Sequence, residues 1–173
     1  MALGEASLRI HPSHGHIATK EEAMEHIKKA AMEGLVANVA HVWIDPGAFW
    51  SVPFNKLMFI CFCDDCCCLY RTHMKKRGEN LNKAYKKLPG VNVVINGDAC
   101  NGCGRCSDAC FAAAMHIKDG KAVVSNDYKG CGRCIHICPQ NAITIYFDDK
   151  DKLVSTLIQR IVNVADIGIQ QLN

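Results

Sequence analysis

The run C-N-G-C-G-R-C-S-D-A-C occupies residues 100–110, and the run C-G-R-C-I-H-I-C-P occupies residues 131–139. The first run spaces its cysteines as C-x2-C-x2-C-x3-C, and the second repeats this pattern without its first cysteine. Gaps of two residues let three consecutive thiolates reach three irons of one cubane cluster, while the fourth faces away toward a second cluster. Glycine at positions 102, 104, 130 and 132 permits positive φ, so backbone N–H groups can approach the sulfur atoms. The two runs therefore predict a domain folded around iron–sulfur clusters.

With these runs, residues 91–147 resemble the bacterial-type dicluster [4Fe-4S] ferredoxins. The resemblance implies an α+β fold with a doubled β-α-β layout, to which this chain adds an N-terminal helix and strand extension and a C-terminal helix. In that family the two runs exchange their fourth ligand. The first cluster would then be held by Cys100, Cys103, Cys106 and Cys138, and the second by Cys110, Cys131 and Cys134.

One ligand of the second cluster is missing. A shift of 28 residues, from Cys103 to Cys131, superposes the two runs and places Tyr128 opposite Cys100. Three outcomes are open at this position. Another residue supplies the ligand, the cluster loses an iron and becomes [3Fe-4S], or a fourth iron stays with an exchangeable ligand.

A second cysteine-rich segment covers residues 61–68 and contains five of the twelve cysteines. They are Cys61, Cys63, Cys66, Cys67 and Cys68. Adjacent cysteines tend to point apart, which favours sharing the segment between two sites. One of the five could fill the place opposite Tyr128, and the other four could bind a third [4Fe-4S] cluster. The alternatives are a set of buried thiols or a zinc site.

Composition and charge narrow the class of protein. The first twelve residues lack the pattern of a signal peptide, and the longest apolar run, 57–63, is too short to span a bilayer. The repeated two-residue gaps are not explained by a disulfide framework, and a four-cysteine zinc site does not need the third cysteine of each run. We therefore expect a cytoplasmic, reducing location. The net charge of +3 counts thiols as neutral, so it does not indicate a nucleic-acid partner.

The sequence divides into an extension over 1–90, the dicluster part over 91–147 and a C-terminal helix over 148–173. The extension predicts a helix at 19–34, begun by a capping box at Thr19, with a packing stripe of Met24, Ile27, Ala31 and Leu35. A strand at 35–44 would end at Asp45-Pro46-Gly47, and a strand at 57–63 would follow. Residues 69–88 predict a basic helix, or a helix pair broken near Gly78.

The dicluster part predicts strands at 91–96 and 142–147, helices at 104–110 and 132–138, and a hairpin of 115–117 with 122–124. The hairpin would turn at Asp119-Gly120. In the last helix, an apolar stripe of Leu153, Leu157, Ile161 and Val164 leads toward a weak point at Gly168.

Electron transfer is the function that this pattern favours. Clusters held by complete cysteine sets expose no open iron, and the sequence has no P-loop, no G-x-G-x-x-G and no H-E-x-x-H. We expect a ferredoxin-like carrier or a relay subunit of an anaerobic oxidoreductase, with a redox protein or larger complex as partner and an oligomer possible through the C-terminal helix. The alternatives are an enzyme that binds substrate at an open iron of the second cluster, and clusters that only stabilise the fold.

Overall fold

A computed structural model of the chain describes residues 1–42, 44–64, 66, 68, 83 and 85–169. Two compact units are present. The first contains residues 1–62 and those from 154 onward, and the second contains residues 63–153. Among the described residues, no helix combines the length and the apolar character that crossing a bilayer requires.

A three-stranded sheet organises the first unit. Its strands are β1 (Ala2–Leu3), β2 (Val36–Ala40) and β3 (Met58–Cys63), in the order β1-β3-β2. Strands β1 and β3 run antiparallel, with Ala2 opposite Phe59. The terminal amine of Met1 donates to the carbonyl of Ile60 at 2.8 Å, and the Ile60 N–H donates to the carbonyl of Met1 at 2.8 Å. The strand predicted at 57–63 is thereby confirmed.

Helix α1 (Lys20–Met32) confirms the predicted helix and its capping box. The Thr19 hydroxyl accepts from the N–H of Glu22 at 3.2 Å, and the Glu22 carboxylate accepts from the N–H of Thr19 at 2.8 Å. Past the last turn, Gly34 has φ of +69°, the conformation expected of a C-terminal cap. Local sequence rules therefore fix both ends of this helix.

The packing stripe predicted for α1 is wrong by about one position. Met24 is 47% exposed and Ala31 is also exposed, whereas Ala30 is buried and Ile27 is half-buried. The packed face keeps Ile27 of the predicted stripe but is rotated toward Ala23 and Ala30. The neighbouring elements, not the largest apolar residues, therefore decide which face of the helix is covered.

The strand predicted over 35–44 is shorter than expected, because β2 ends at Ala40. Helix α2 (Ile44–Phe49) follows and includes Asp45-Pro46-Gly47, which was predicted to be a turn. Proline is tolerated in the first turn of a helix, where its missing N–H would have no partner inside the helix.

Most of the basic helix predicted at 69–88 lies outside the described residues. Lys83 is described and is helical, whereas residues 85–88 are described and are not helical. The proline at position 89 disfavours helical backbone in the residue before it, which explains why this end was wrong.

Between residues 91 and 147, the second unit contains two antiparallel strand pairs and two short helices. Strand β4 (Val91–Ile95) precedes α3 (Arg105–Asp108), the hairpin of β5 (Met115–Lys118) and β6 (Lys121–Val124), α4 (Arg133–His136) and β7 (Ile143–Phe147). Strand β4 pairs with β7, and β5 pairs with β6. Every element predicted here is present, but each helix has only four residues. Both helices end before the last cysteine of their run, which leaves that cysteine in the following turn.

The hairpin turn takes the predicted form. Asp119 has φ of +51° and Gly120 has φ of +72°. Positive φ at both central residues defines the turn that matches the twist of paired strands, and Asp-Gly is a preferred sequence for it.

Cysteines make up much of the core of the second unit. The fully buried members of this core are Cys106, Phe111, Ala112, Ala114, Met115, Ala122, Tyr128, Cys134 and Ile143. Half-buried Cys100, Cys110, Cys131 and Cys138 pack against them. Apolar side chains alone therefore do not account for the packing of this unit.

Helix α5 (Lys150–Val162) confirms the predicted C-terminal helix. Leu153, Leu157 and Ile161 are half-buried, as the stripe predicts, but Val164 lies beyond the helix and is 50% exposed. The helix ends at Val162, before the weak point expected at Gly168.

Gly102 should be far less tolerant of substitution than Gly104. Both have positive φ, but a Cβ on Gly102 would overlap the carbonyl of Gly120, whereas a Cβ on Gly104 meets nothing within 4 Å. We expect Gly104→Ala to cost about 1–2 kcal/mol of unfolding free energy through its backbone alone. Gly102→Ala should cost about 1–3 kcal/mol more because the hairpin tip must move.

Anaerobic chemical denaturation of the two iron-loaded variants, followed by circular dichroism, measures this difference. Equal losses would show that the contact with the hairpin tip contributes nothing.

Candidate metal centre

Four cysteines from both runs line one cleft. They are Cys100, Cys103, Cys106 and Cys138, the set expected for the first cluster. Apolar side chains including Ile117, Ala122 and Ile143 line the rest of the cleft. None of these four described cysteines forms a disulfide, so all four sulfur atoms are available as thiolates. The second run thus contributes Cys138 to the group formed by the first run.

Backbone N–H groups donate hydrogen bonds to the sulfur atoms of Cys100, Cys110 and Cys138. The N–H of Ala122 donates to Cys100 Sγ at 3.4 Å, and the N–H of Ala142 donates to Cys138 Sγ at 3.4 Å. The N–H of Ala114 donates to Cys110 Sγ at 3.2 Å. Hydrogen bonds of this kind favour the charged form of the sulfur, which is the form that binds iron.

Cys100 sits in an electrostatic environment that favours its thiolate. The N–H groups of Ala122 and Gly102 lower the pKa of its thiol, and the Lys121 ammonium lowers it further. Lys121 Nζ donates to the carbonyls of Gly97 and Cys100 at 2.6 and 2.7 Å. This lysine therefore ties the start of the first run to β6 and places a cation beside the first ligand.

The second group of cysteines, Cys110, Cys131 and Cys134, is more deeply buried than the first. Burial, together with the neighbouring Cys131 and Cys110 thiolates, raises the pKa of Cys134 to about 11. Cys134 is 5% exposed, and Cys110 and Cys131 are half-buried. The structure thus brings together the three cysteines expected for the second cluster.

Both groups fit iron–sulfur clusters by the chemistry of their donors. Burial also raises the pKa of Cys106, and the nearby Cys100 and Cys103 add to the effect. Thiolates crowded in an apolar core repel one another, and a bound metal removes this cost because it keeps coordinating thiols ionised. The first group offers four thiolates and the second offers three, so a cluster at each would be held by the residues named above.

Tyr128 occupies the position that the sequence left without a ligand. Its side chain is 6% exposed, and its hydroxyl oxygen lies 3.7 Å from Cys134 Sγ. Burial raises the pKa of the phenol, and the charges of Cys134, Cys131 and Cys110 raise it further. The repeat alignment showed that a cysteine was missing here, but it did not indicate that the tyrosine reaches into the site.

The cysteines of the 61–68 segment lie in different surroundings. Cys61 packs against the first unit's small cluster of Ala6, Leu57 and Phe59. In the second unit Cys63 is buried, Cys66 is exposed and Cys68 is half-buried. Cys67 lies outside the described residues. The structure therefore does not test the third cluster, nor the donation of a ligand from this segment.

No site for a single metal ion is present in the described part of the chain. There, no three His, Cys, Asp or Glu side chains converge as the ligands of one ion would. In a cubane cluster each thiolate binds a different iron, so the four sulfur atoms of the first cleft need not converge. The described residues give no support to the zinc alternative.

Comparison with known proteins identifies the first run. The family model of the 4Fe-4S binding domain matches residues 93–116, which include every cysteine of that run. No curated protein matches the chain. The match implies binding of a [4Fe-4S] cluster and an electron-transfer role, at the level of ferredoxins in general. It extends to neither the second run nor the 61–68 segment.

Lys121→Met should weaken the first site, with Lys118→Met as the matched control on the same hairpin. Loss of the two hydrogen bonds from the ammonium group should cost about 1–2 kcal/mol of unfolding free energy. Loss of the cation beside Cys100 should make the reduction potential of the first cluster more negative, because added negative charge is then less favoured.

Denaturation and a redox titration followed by electron paramagnetic resonance measure these two effects. A Lys121→Met protein with the stability and potential of the Lys118→Met protein would contradict the role of Lys121.

Proposed function

We propose that the chain is a dicluster iron–sulfur electron carrier of the bacterial ferredoxin type, which passes electrons to a redox protein or within a larger oxidoreductase. The cleft that gathers Cys100, Cys103, Cys106 and Cys138 from two separated runs is the observation that carries this proposal. Exchange of the fourth ligand between the runs is the hallmark of two-cluster ferredoxins. The order β4-α3-β5-β6-α4-β7 is in keeping with the doubled layout of that family.

The surroundings of both groups favour electron transfer. When bound, iron–sulfur clusters accept and release electrons without needing an open coordination position. In this chain the apolar side chains of Ile117, Ala122 and Ile143 line the first cleft beside the cysteines. Cys106 and Cys134 belong to the same buried core, so the two groups of cysteines are neighbours there. A short path between two centres suits a relay of electrons.

The accessible side of the first site suggests where a redox partner would approach. Cys103 and the neighbouring Asn101 and Gln140 are exposed, whereas Cys106 is buried. Electron transfer needs a short path from the cluster to the partner. A partner would therefore dock over the 101–104 loop, where Asn101 and Cys103 are exposed.

The enzyme alternative is less well supported by the second site. A substrate would have to reach an iron where the second cluster lacks a ligand. Tyr128, which aligns with Cys100 of the first run, fills that place with a buried ring. We propose a third cluster on the 61–68 segment on sequence grounds alone, because five cysteines in eight residues exceed any need of packing.

Replacement of a buried ligand tests the proposed function. Anaerobically purified protein should lose its visible absorbance on addition of dithionite and regain it on reoxidation. Cys106→Ser should lose about four iron per chain. Ser107→Ala, one residue away, should keep its iron because Ser107 supplies no ligand. Iron analysis and absorbance spectra measure both effects, and a folded wild-type chain that purifies colourless and iron-free would refute the proposal.

The third cluster is tested by a difference in iron content. A variant with Cys66, Cys67 and Cys68 all replaced by serine should contain about four fewer iron and four fewer sulfide per chain than the wild type. The difference is informative whatever cluster the second site holds. Equal iron and sulfide contents would reject a third cluster on this segment.

A further inference from the structure

The side chain of Tyr128 is built into the second cysteine group. It belongs to the same buried core as Cys134 and Cys106, and its ring is almost fully removed from solvent. A turn holds its backbone, with the N–H of Tyr128 donating to the carbonyl of Ser125 at 3.2 Å. Both the turn and the core therefore fix the position of the phenol.

The phenol hydroxyl faces sulfur. The oxygen of Tyr128 is 3.7 Å from Cys134 Sγ, within the range of a hydrogen bond to sulfur. Cys131 and Cys110 pack against the same buried core as the phenol. A thiolate bound to iron carries no proton, so the phenol must be the donor. A neutral phenol is also a weak ligand for iron, in contrast to a thiolate.

The equivalent corner of the first site is arranged differently. There Cys100 offers a sulfur atom that accepts a hydrogen bond from the N–H of Ala122. At the second site the corresponding side chain is an aromatic ring that donates a hydrogen bond. The two corners differ in the direction of the hydrogen bond as well as in the missing thiolate.

We infer that the second site holds a [3Fe-4S] cluster on Cys110, Cys131 and Cys134, and that Tyr128 closes its fourth corner by donating a hydrogen bond to Cys134 Sγ. This inference rests on the proposed function, because it needs clusters at both sites. Tyr128 acts as a positioning residue, since it touches a ligand and supplies none itself. A hydrogen bond to a cluster sulfur raises the reduction potential, so the second centre is tuned separately from the first.

Electron paramagnetic resonance of the full chain, purified without air, tests the inference. An oxidised [3Fe-4S] cluster is paramagnetic, whereas an oxidised [4Fe-4S] cluster is silent. Wild-type protein as isolated, with no added oxidant, should show a three-iron signal of about one spin per chain. In Tyr128→Cys that signal should disappear, and the iron content should rise by about one per chain.

A second variant separates the hydrogen bond from the missing ligand. Tyr128→Phe keeps the ring and removes the hydroxyl, so it should retain the three-iron signal while its potential becomes more negative. Tyr146→Phe, on exposed β7, is the matched control and should leave signal and potential unchanged. A Tyr128→Phe protein with the wild-type potential would overturn the role of the hydroxyl.

The outcomes distinguish this inference from the proposed function. A wild-type chain with reducible clusters but no three-iron signal would overturn the inference and leave electron transfer standing. If the signal then appears when Cys66, Cys67 or Cys68 is replaced, that segment supplies the fourth ligand instead. A chain without iron would refute the proposed function itself.

Discussion

Repulsion among thiolates in an apolar core is the constraint on which the second unit depends. Cys106 and Cys134 are 7% and 5% exposed, and the neighbouring sulfur atoms make ionisation of both more costly. Without a cation, such a core would hold neutral thiols that contribute little more than small apolar side chains. Iron bound at the proposed sites would join the two runs through these sulfur atoms. Metal binding would then be coupled to the folding of this unit.

Backbone N–H groups also stabilise negative charge on the cysteine sulfur atoms. The N–H groups of Ala114, Ala122 and Ala142 each point at a cysteine sulfur, and all three lie at or next to the start of a strand or turn. An alanine at these positions keeps the backbone close to the sulfur. The strand pairs β4–β7 and β5–β6 thus do more than close the core, since they also place hydrogen-bond donors where charge collects.

The parts of the fold that follow short-range rules could be predicted from the sequence. The capping box at Thr19 and the Asp119-Gly120 turn are examples, because each depends on a few neighbouring residues. The helix at 44–49 could not be predicted in this way, since a proline is as compatible with the first turn of a helix as with a reverse turn. The packed face of α1 was not predicted, because it depends on how the helix packs against a neighbouring element such as β2.

The candidate site was predictable to the same extent. The resemblance to two-cluster ferredoxins implied which cysteines would share a cleft. For the first set, the structure brings those four cysteines together. The contact between Tyr128 and Cys134 was not predictable, since a missing ligand can be left to solvent, to another segment or to a donor. Only the packing of the phenol inside the core distinguishes these cases.

The close approach of Gly102 to the carbonyl of Gly120 has a consequence for how this chain can vary. The tip of a two-residue hairpin is usually a permissive place to lengthen a chain or to graft a peptide. Here the tip packs directly against the loop at Gly102 that carries the first cysteines. Additional residues in the hairpin would therefore displace that loop, so the two segments must change length together.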